Sequence, residues 1–206
     1  MEPKVDLKRT LDGYRARRGE LRVLDVPAAR YLMVDGAGDP NVSPDFSSGV
    51  GALFPLAYAV KFASRRELGR DHVVMPLEGL WWAEDPTAFV SRDKAAWSWT
   101  LMVMIPEWIE PDLIEAARRT LEVKGAPARL EDVRVAALVE GRCVQTLHVG
   151  SFDDEGPLLA RLHDEFLPAH GLRPTGCHHE IYLSDMRRTA PERRRTILRQ
   201  PVEPAS

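Results

Sequence analysis

The strongest restriction on the fold of this chain is the order of its elements, because one order occurs twice. From Ala28 to Ile105 the patterning reads strand, long helix, strand, strand. From Cys143 to Val202 it reads strand, helix, strand, turn, strand. This is a repeat of element order and not of residue identity, and it describes two βαββ units. Two such units can merge into one antiparallel sheet, with helices on one face and a central ligand cleft on the other. The expectation is an α+β fold and a single domain over residues 1–206. Its halves run over about 28–105 and 143–202, and an N-terminal arm over 1–20 packs on the surface.

The individual elements follow from local chemistry. Leu21 to Pro27 alternates like a short edge strand that Pro27 stops. A second strand covers Ala28 to Asp35, ended by the turn residues Gly36 to Asn41. Ser43, Pro44 and Asp45 suit a helix start, and Phe46, Val50, Leu53, Ala57 and Phe62 continue it at helical spacing to about Arg66, with a kink at Pro55. Val73 to Trp82 reads as a strand interrupted by Pro76, and Ala83 to Ala96 as a polar loop. Trp97 to Ile105 is the clearest strand: Trp97, Trp99, Leu101 and Val103 share one face, and Ser98, Thr100, Met102 and Met104 the other. A helix over Pro111 to Val123 follows. Arg129 to Glu140 and Cys143 to Val149 read as a hairpin turning at Gly141-Arg142. The acidic run Asp153 to Glu155 and Pro157 open a third helix that Pro168 to Gly171 end. Thr189 to Glu192 has the spacing of a capping box, Thr196 to Val202 reads as the last strand, and the tail Glu203 to Ser206 as loose.

Composition narrows the function classes. Apolar residues make up 44% and charged residues 29% of 206, the balance of a globular protein. A net charge of −3 gives no global field toward nucleic acid or anionic membrane. No uninterrupted apolar run reaches the roughly 20 residues of a membrane span, and the charged N-terminus lacks the apolar core of a secretory signal. Two cysteines, Cys143 and Cys177, without an export signal imply reduced thiols and a cytoplasmic location. The arginines at 187, 188 and 193–195 lack interleaved aromatics and read as a solvated surface.

Chemistry concentrates at Gly176 to Asp185, a stretch with β-favouring Ile181 and Tyr182 at its centre. Alternation puts His178, Glu180 and Tyr182 on one face, and His179, Ile181 and Leu183 on the other. The first face is read as the floor of the cleft. Glu180 there has two roles open to it: counter-charge to a ligand cation, or general base on water. The structural alternative is an ion pair with an arginine such as Arg187 or Arg199. Tyr182 can position a water or donate to developing negative charge. Glu78 lies on the matching first-half strand, and pseudo-symmetry would set it facing Glu180. Trp82 shares the face of Glu78, whereas Trp81 points the other way, so one of the two lines the cleft. Met102 and Met104 offer an adaptable lining or plain core filling. No metal site is read from Cys177, His178, His179 and Glu180, because neighbouring strand residues face opposite ways. No phosphate-binding glycine loop or nucleophile elbow is present.

Several segments resemble the GyrI-like small-molecule-binding domains, which are related to the ligand-sensing domains of multidrug-responsive regulators. They are Tyr31 to Asn41, Leu77 to Trp82, His178 to Asp185, Arg188 to Glu192 and Thr196 to Val202. With no helix-turn-helix arm before them, the chain resembles the stand-alone form. The resemblance implies the tandem βαββ fold, and a hydrophobic or cationic small molecule as partner. Some free-standing members are similar to hydrolases that open the strained cyclopropane of DNA-alkylating natural products. By match to the motif, Glu180 is the cleft carboxylate, Tyr182 its companion, and Trp81 and Trp82 the aromatic wall; His178 joins the ligand-binding residues. No metal or organic cofactor is implied. Two rivals stay open: a non-catalytic sequesterer or sensor, and an interaction protein that shields a partner such as gyrase.

Overall fold

The computed structural model describes residues 3–85, 87–91 and 93–205. Met1, Glu2, Pro86, Arg92 and Ser206, which the expectations for the arm, the 83–96 loop and the tail include, lie outside them. The strands among the described residues are β1 (Arg22–Val26), β2 (Ala29–Ala37), β3 (Glu78–Trp82), β4 (Ser98–Ile105), β5 (Arg134–Leu138), β6 (Gly141–Val149), β7 (Leu172–Pro174), β8 (His178–Tyr182) and β9 (Arg195–Pro204). The chain divides into two compact units, one of residues 1–10 and 29–138, the other of residues 11–28 and 139–206. The class is α+β, and the order strand, helix, strand, strand recurs as expected.

In the first unit β4 pairs with β3 and β2, and β2 with β5, all antiparallel. The long helix Pro44–Glu67 starts where the sequence places it: the Ser43 hydroxyl accepts from the Phe46 amide at 3.4 Å, and Pro44 stands at the first turn. One flank of this helix packs on β2 and β4, and the helix Pro111–Val123 packs against it. The closeness of the packing shows at two glycines. A Cβ at Gly49 would lie 3.2 Å from Val34, and one at Gly36 would lie 2.0 Å from the Trp99 ring, so β2 is bare where the indole crosses it. The helix has the length and composition of a membrane span but buries its small and aliphatic flank (Ala52, Leu53, Leu56, Val60) as a core helix does.

In the second unit β6 pairs with β1 and β9, and β9 with β8, while the last residues of β9 pair with β7. Its helical segment is broken into kinds. A 3₁₀ turn over Phe152–Asp154 precedes an α-helix over Gly156–Ala160, six π-helical residues over Arg161–Phe166, and a last α turn over Leu167–Ala169. Leu162 and Leu167 from this segment form one apolar cluster with Val144, Leu172 and Val202.

Several local expectations are corrected. Residues 73–77 are not strand; the β-structure starts at Glu78, after Pro76. The 83–96 stretch holds a helical turn at Thr87–Val90, started by the Asp85 carboxylate accepting from the Thr87 amide at 2.9 Å. The 129–149 hairpin does not form: β5 pairs with β2, and β6 with β1 and β9, with residues 129–132 in turns. A local turn signal at Gly141 therefore marks the passage between units and not a hairpin. The Thr189 capping box is absent, since Ala190 precedes the 3₁₀ turn Pro191–Arg193 with no side-chain cap. Nor is the chain end loose over 203–204, which extend β9.

Candidate functional site

Alternation along β8 gives its two faces different neighbours. His179 is fully buried and shares a hydrogen bond with Glu140 Oε1 at 2.9 Å through Nδ1. Arg199, its partner on β9, donates from Nη1 to Glu140 Oε2 at 2.7 Å, from Nε to Gln145 Oε1 at 3.1 Å, and from Nη2 to the Gly13 carbonyl at 2.6 Å. Gln145 in turn donates to the Arg15 carbonyl at 2.9 Å. This face is thus latched to the segment over 11–15 by a buried ionic network. Burial works to raise the Glu140 carboxyl, but the His179 and Arg199 charges and hydrogen bonds prevail and hold it down at about 2.

The other face carries Glu180. Register sets Glu180 opposite Leu198 and Tyr182 opposite Thr196, and the same face of β6 and β9 carries Val144 and Val202. Those valines pack on Leu162 and Leu167, so the Glu180 face of this unit is the one beneath the helical segment. Alternation separates the two faces but does not say what packs on each. The first-unit counterpart differs, since Glu78 stands on the face away from the long helix.

Neither arginine proposed as a structural partner reaches Glu180. Arg199 is committed to Glu140, and Arg187 pairs with Asp185 at 3.4 Å. The group beside Glu180 is His178, whose Nε2 lies 3.6 Å from Oε1, and both side chains are 14% exposed. That separation is an ion-pair distance, longer than a hydrogen bond. Both His178 ring nitrogens are buried without a hydrogen-bond partner. Tyr182 is buried, its ring edge-on to Phe152 at 5.7 Å. The Arg194 guanidinium lies over Phe152 at 5.4 Å and donates to the Met186 and Thr189 carbonyls, which ties the 184–194 loop to this aromatic pair.

In the first unit, cross-strand neighbours share a face, so Glu78, Met102 and Met33 form one row and Met104 with Tyr31 the next. All five are buried. Trp82, opposite Ser98, belongs to this face and is half-buried. Trp81 lies opposite Trp99, and both pack on Phe46 of the long helix, with centroids at 6.2 and 5.3 Å. Trp81 is therefore a core residue, and Trp82 is the member of the pair beside Glu78. Trp97 meets Trp81 edge-on at 5.9 Å. Tyr31 and Met33 were missed as members of the Glu78 face, although the alternation of β2 carries them.

Two further residues had no visible signal. Phe152 precedes the helical segment, and its contact with Tyr182 is long-range. His163 lies in the π-helical turn. Burial, and then the charge of nearby His178, push its imidazole below the ordinary range. Among the described residues no group of three or more His, Cys, Asp or Glu is placed to hold a metal ion.

The GyrI-like small-molecule-binding domain model matches residues 19–203. The chain belongs to this family. An uncharacterized conserved protein from Listeria innocua shares 36% identity, with a TM-score of 0.88, over 97% of this chain and all of its own. A hydrolase from the same organism shares 34% identity, with a TM-score of 0.87, over 98% of this chain and all of its own. The C-terminal domain of EcmrR, at 12% identity and a TM-score of 0.56, covers 90% of this chain and 98% of its own, and shares the fold. No curated protein matches the chain.

Proposed function

We propose that this GyrI-like domain binds a hydrophobic small molecule at the Glu180 face and hydrolyses a strained electrophile, of the class of a cyclopropane conjugated to a carbonyl. The observation that carries the reading is the state of Glu180. Among the described residues it is a largely buried carboxylate with no arginine at hydrogen-bond distance, next to an imidazole whose nitrogens have no hydrogen-bond partner. A carboxylate left without a fixed cation is available to a ligand or to a water. The likeness to a hydrolase over the whole chain supports turnover.

In this reaction Glu180 takes one proton from water while the water oxygen bonds to a cyclopropane carbon. The ring C–C bond breaks, and its electron pair moves onto the conjugated carbonyl framework. Tyr182 donates a hydrogen bond to that developing charge. Protonation of the framework completes the addition of one water. Taken by itself, the first unit's face of Glu78, Trp82, Met102 and Met104 has the polarisable character that suits apolar or cationic ligands.

The test is product analysis with an electrophilic cyclopropane. The expected result is ring-opened alcohol formed in many turnovers by wild type and lost in Glu180→Gln. Equal ring opening by both proteins would remove Glu180 from the chemistry. The family description favours a second reading, binding without turnover. It predicts tryptophan quenching by ligand at one-to-one stoichiometry, and protection of the electrophile with no product.

A further inference from the structure

We propose that the trough between the helix Pro111–Val123 and β5, within the first unit, docks an extended peptide that carries an acidic residue and adds to β5 as a further strand. The side chains of β2 set the geometry. Val34 lies against Gly49 of the long helix, so Leu32 and Arg30, which alternate with it, stand on the helix-bearing face. Register places Val135 opposite Leu32 and Ala137 opposite Arg30, on that same face. β4 fills this face with Trp99, Leu101 and Val103, whereas β5 offers only Val135 and Ala137 there. The helix Pro111–Val123 packs mainly against the long helix and does not close over β5. A trough of about 560 Å³ is left, with Ile114 and Val133 buried in its lining.

Two properties select the occupant. The first is the strand edge. Among the described residues β5 pairs only with β2, so its outer edge keeps backbone N–H and C=O groups without a strand partner. Such edges are commonly blunted by proline or lysine, and Arg134–Leu138 contains neither. Val135 is 38% exposed and Ala137 is exposed beside it. The second is charge. Arg30, Arg118 and Arg134 line the trough against one acidic residue, Glu115. Arg134 is given to Asp35, and Arg118 to Glu115 and to the Leu130 and Val133 carbonyls. Arg30 differs: its Nη1 donates to the Ile109 carbonyl at 2.9 Å, and among the described residues no carboxylate pairs with it. That bond sets Arg30 at the Pro111 end of the trough, where Ala137 is too small to screen it. A peptide here takes main-chain hydrogen bonds from the β5 edge, lays an apolar side chain over Val135, and brings a carboxylate to Arg30. Val135 and Ala137 are two residues apart, so the apolar and acidic side chains of the peptide should be two apart as well. A second β5 is a poorer occupant, because Arg134–Leu138 has no acidic residue to offer.

The experiment titrates the full chain into fluorescein-labelled peptides that alternate valine with threonine, one valine being replaced by glutamate at each position in turn, and reads anisotropy. Saturable binding is expected for at least one register. Glutamine in place of that glutamate should weaken it by about tenfold or more. Methylating alternate peptide nitrogens should abolish binding in one phase, where the amides face β5, and leave it intact in the other. The Arg30→Met protein should bind the glutamate and glutamine peptides equally. Because that variant also loses the Ile109 bond, the comparison of the two peptides on wild type decides the charge by itself. No saturation by any peptide, equal affinity in both methylation phases, or affinity indifferent to the glutamate would each overturn the proposal. Sedimentation showing a dimer that Ala137→Glu breaks and the peptides do not would assign the edge to a second copy and overturn it too.

Discussion

Arg199 gives its guanidinium to Glu140 at 2.7 Å, and among the described residues no arginine pairs with Glu180, the strand neighbour of His179. This choice separates a structural carboxylate from an available one. Arg199 and Glu140 are only 2% and 3% exposed, so removing one partner strands a buried charge. Arg199→Met should therefore cost about 3–5 kcal/mol of unfolding free energy in urea. The double variant Arg199→Met/Glu140→Gln should recover part of the loss. A single-variant cost under about 1 kcal/mol would mean that the network is solvated in solution.

The same pair fixes a pH dependence. Glu140 is held at about 2 in the folded chain against an ordinary 4.5. A depressed carboxyl stabilises the fold above its unfolded pKa, and that contribution is lost as pH falls toward the folded value. By linkage it amounts to about 3 kcal/mol, present above about pH 4.5 and fading toward pH 2. The stability gap between wild type and Glu140→Gln should therefore be widest near neutrality and narrow steadily below pH 4.5. A gap constant from pH 7 to pH 2.5 would contradict it.

What the sequence made legible was periodic. Alternation in β4 and β8 sorted Trp99 from Met102 and Glu180 from His179, and every one of those assignments matches the register. The start of the long helix was written in Ser43 and Pro44, whose chemistry is local. What stayed hidden depended on distant chain. The latch of Arg199 to the Gly13 carbonyl spans 186 residues, so nothing near Arg199 could announce it. The packing of the helical segment on β6 and β9 is likewise a tertiary fact, set by Leu162 and Leu167 meeting Val144. Gly141 misled because a glycine with φ of 65° suits a hairpin turn and a chain passage equally.

The two adjacent tryptophans give a separable pair of variants. Trp81 is 5% exposed and packed on Phe46 and Trp97, so Trp81→Ala should remove about 3–5 kcal/mol of stability by opening a cavity. Trp82 is half-buried on the face of Glu78, and Trp82→Ala should cost far less stability. It should, on the ligand-lining reading, weaken binding of an apolar dye by tenfold or more. Urea unfolding and dye titration of both variants check this. Equal stability losses with unchanged dye affinity would place both indoles in the core.

Glu180 and Tyr182 share a face, and their substitutions should fail in different ways if water activation is the chemistry. Glu180→Gln keeps the shape but removes the base, so turnover should fall at least about 100-fold while affinity for a neutral ligand holds. Tyr182→Phe keeps the ring against Phe152 and removes only the hydroxyl. Its turnover should fall about 100-fold or more if the hydroxyl meets developing charge, with unfolding free energy changed by about 1 kcal/mol. A cationic ligand separates the rival: if Glu180 is only a counter-charge, Glu180→Gln loses cation affinity selectively, and Tyr182→Phe leaves every measured rate and affinity as in wild type. Steady-state kinetics and dye titration on the same three proteins distinguish the two outcomes.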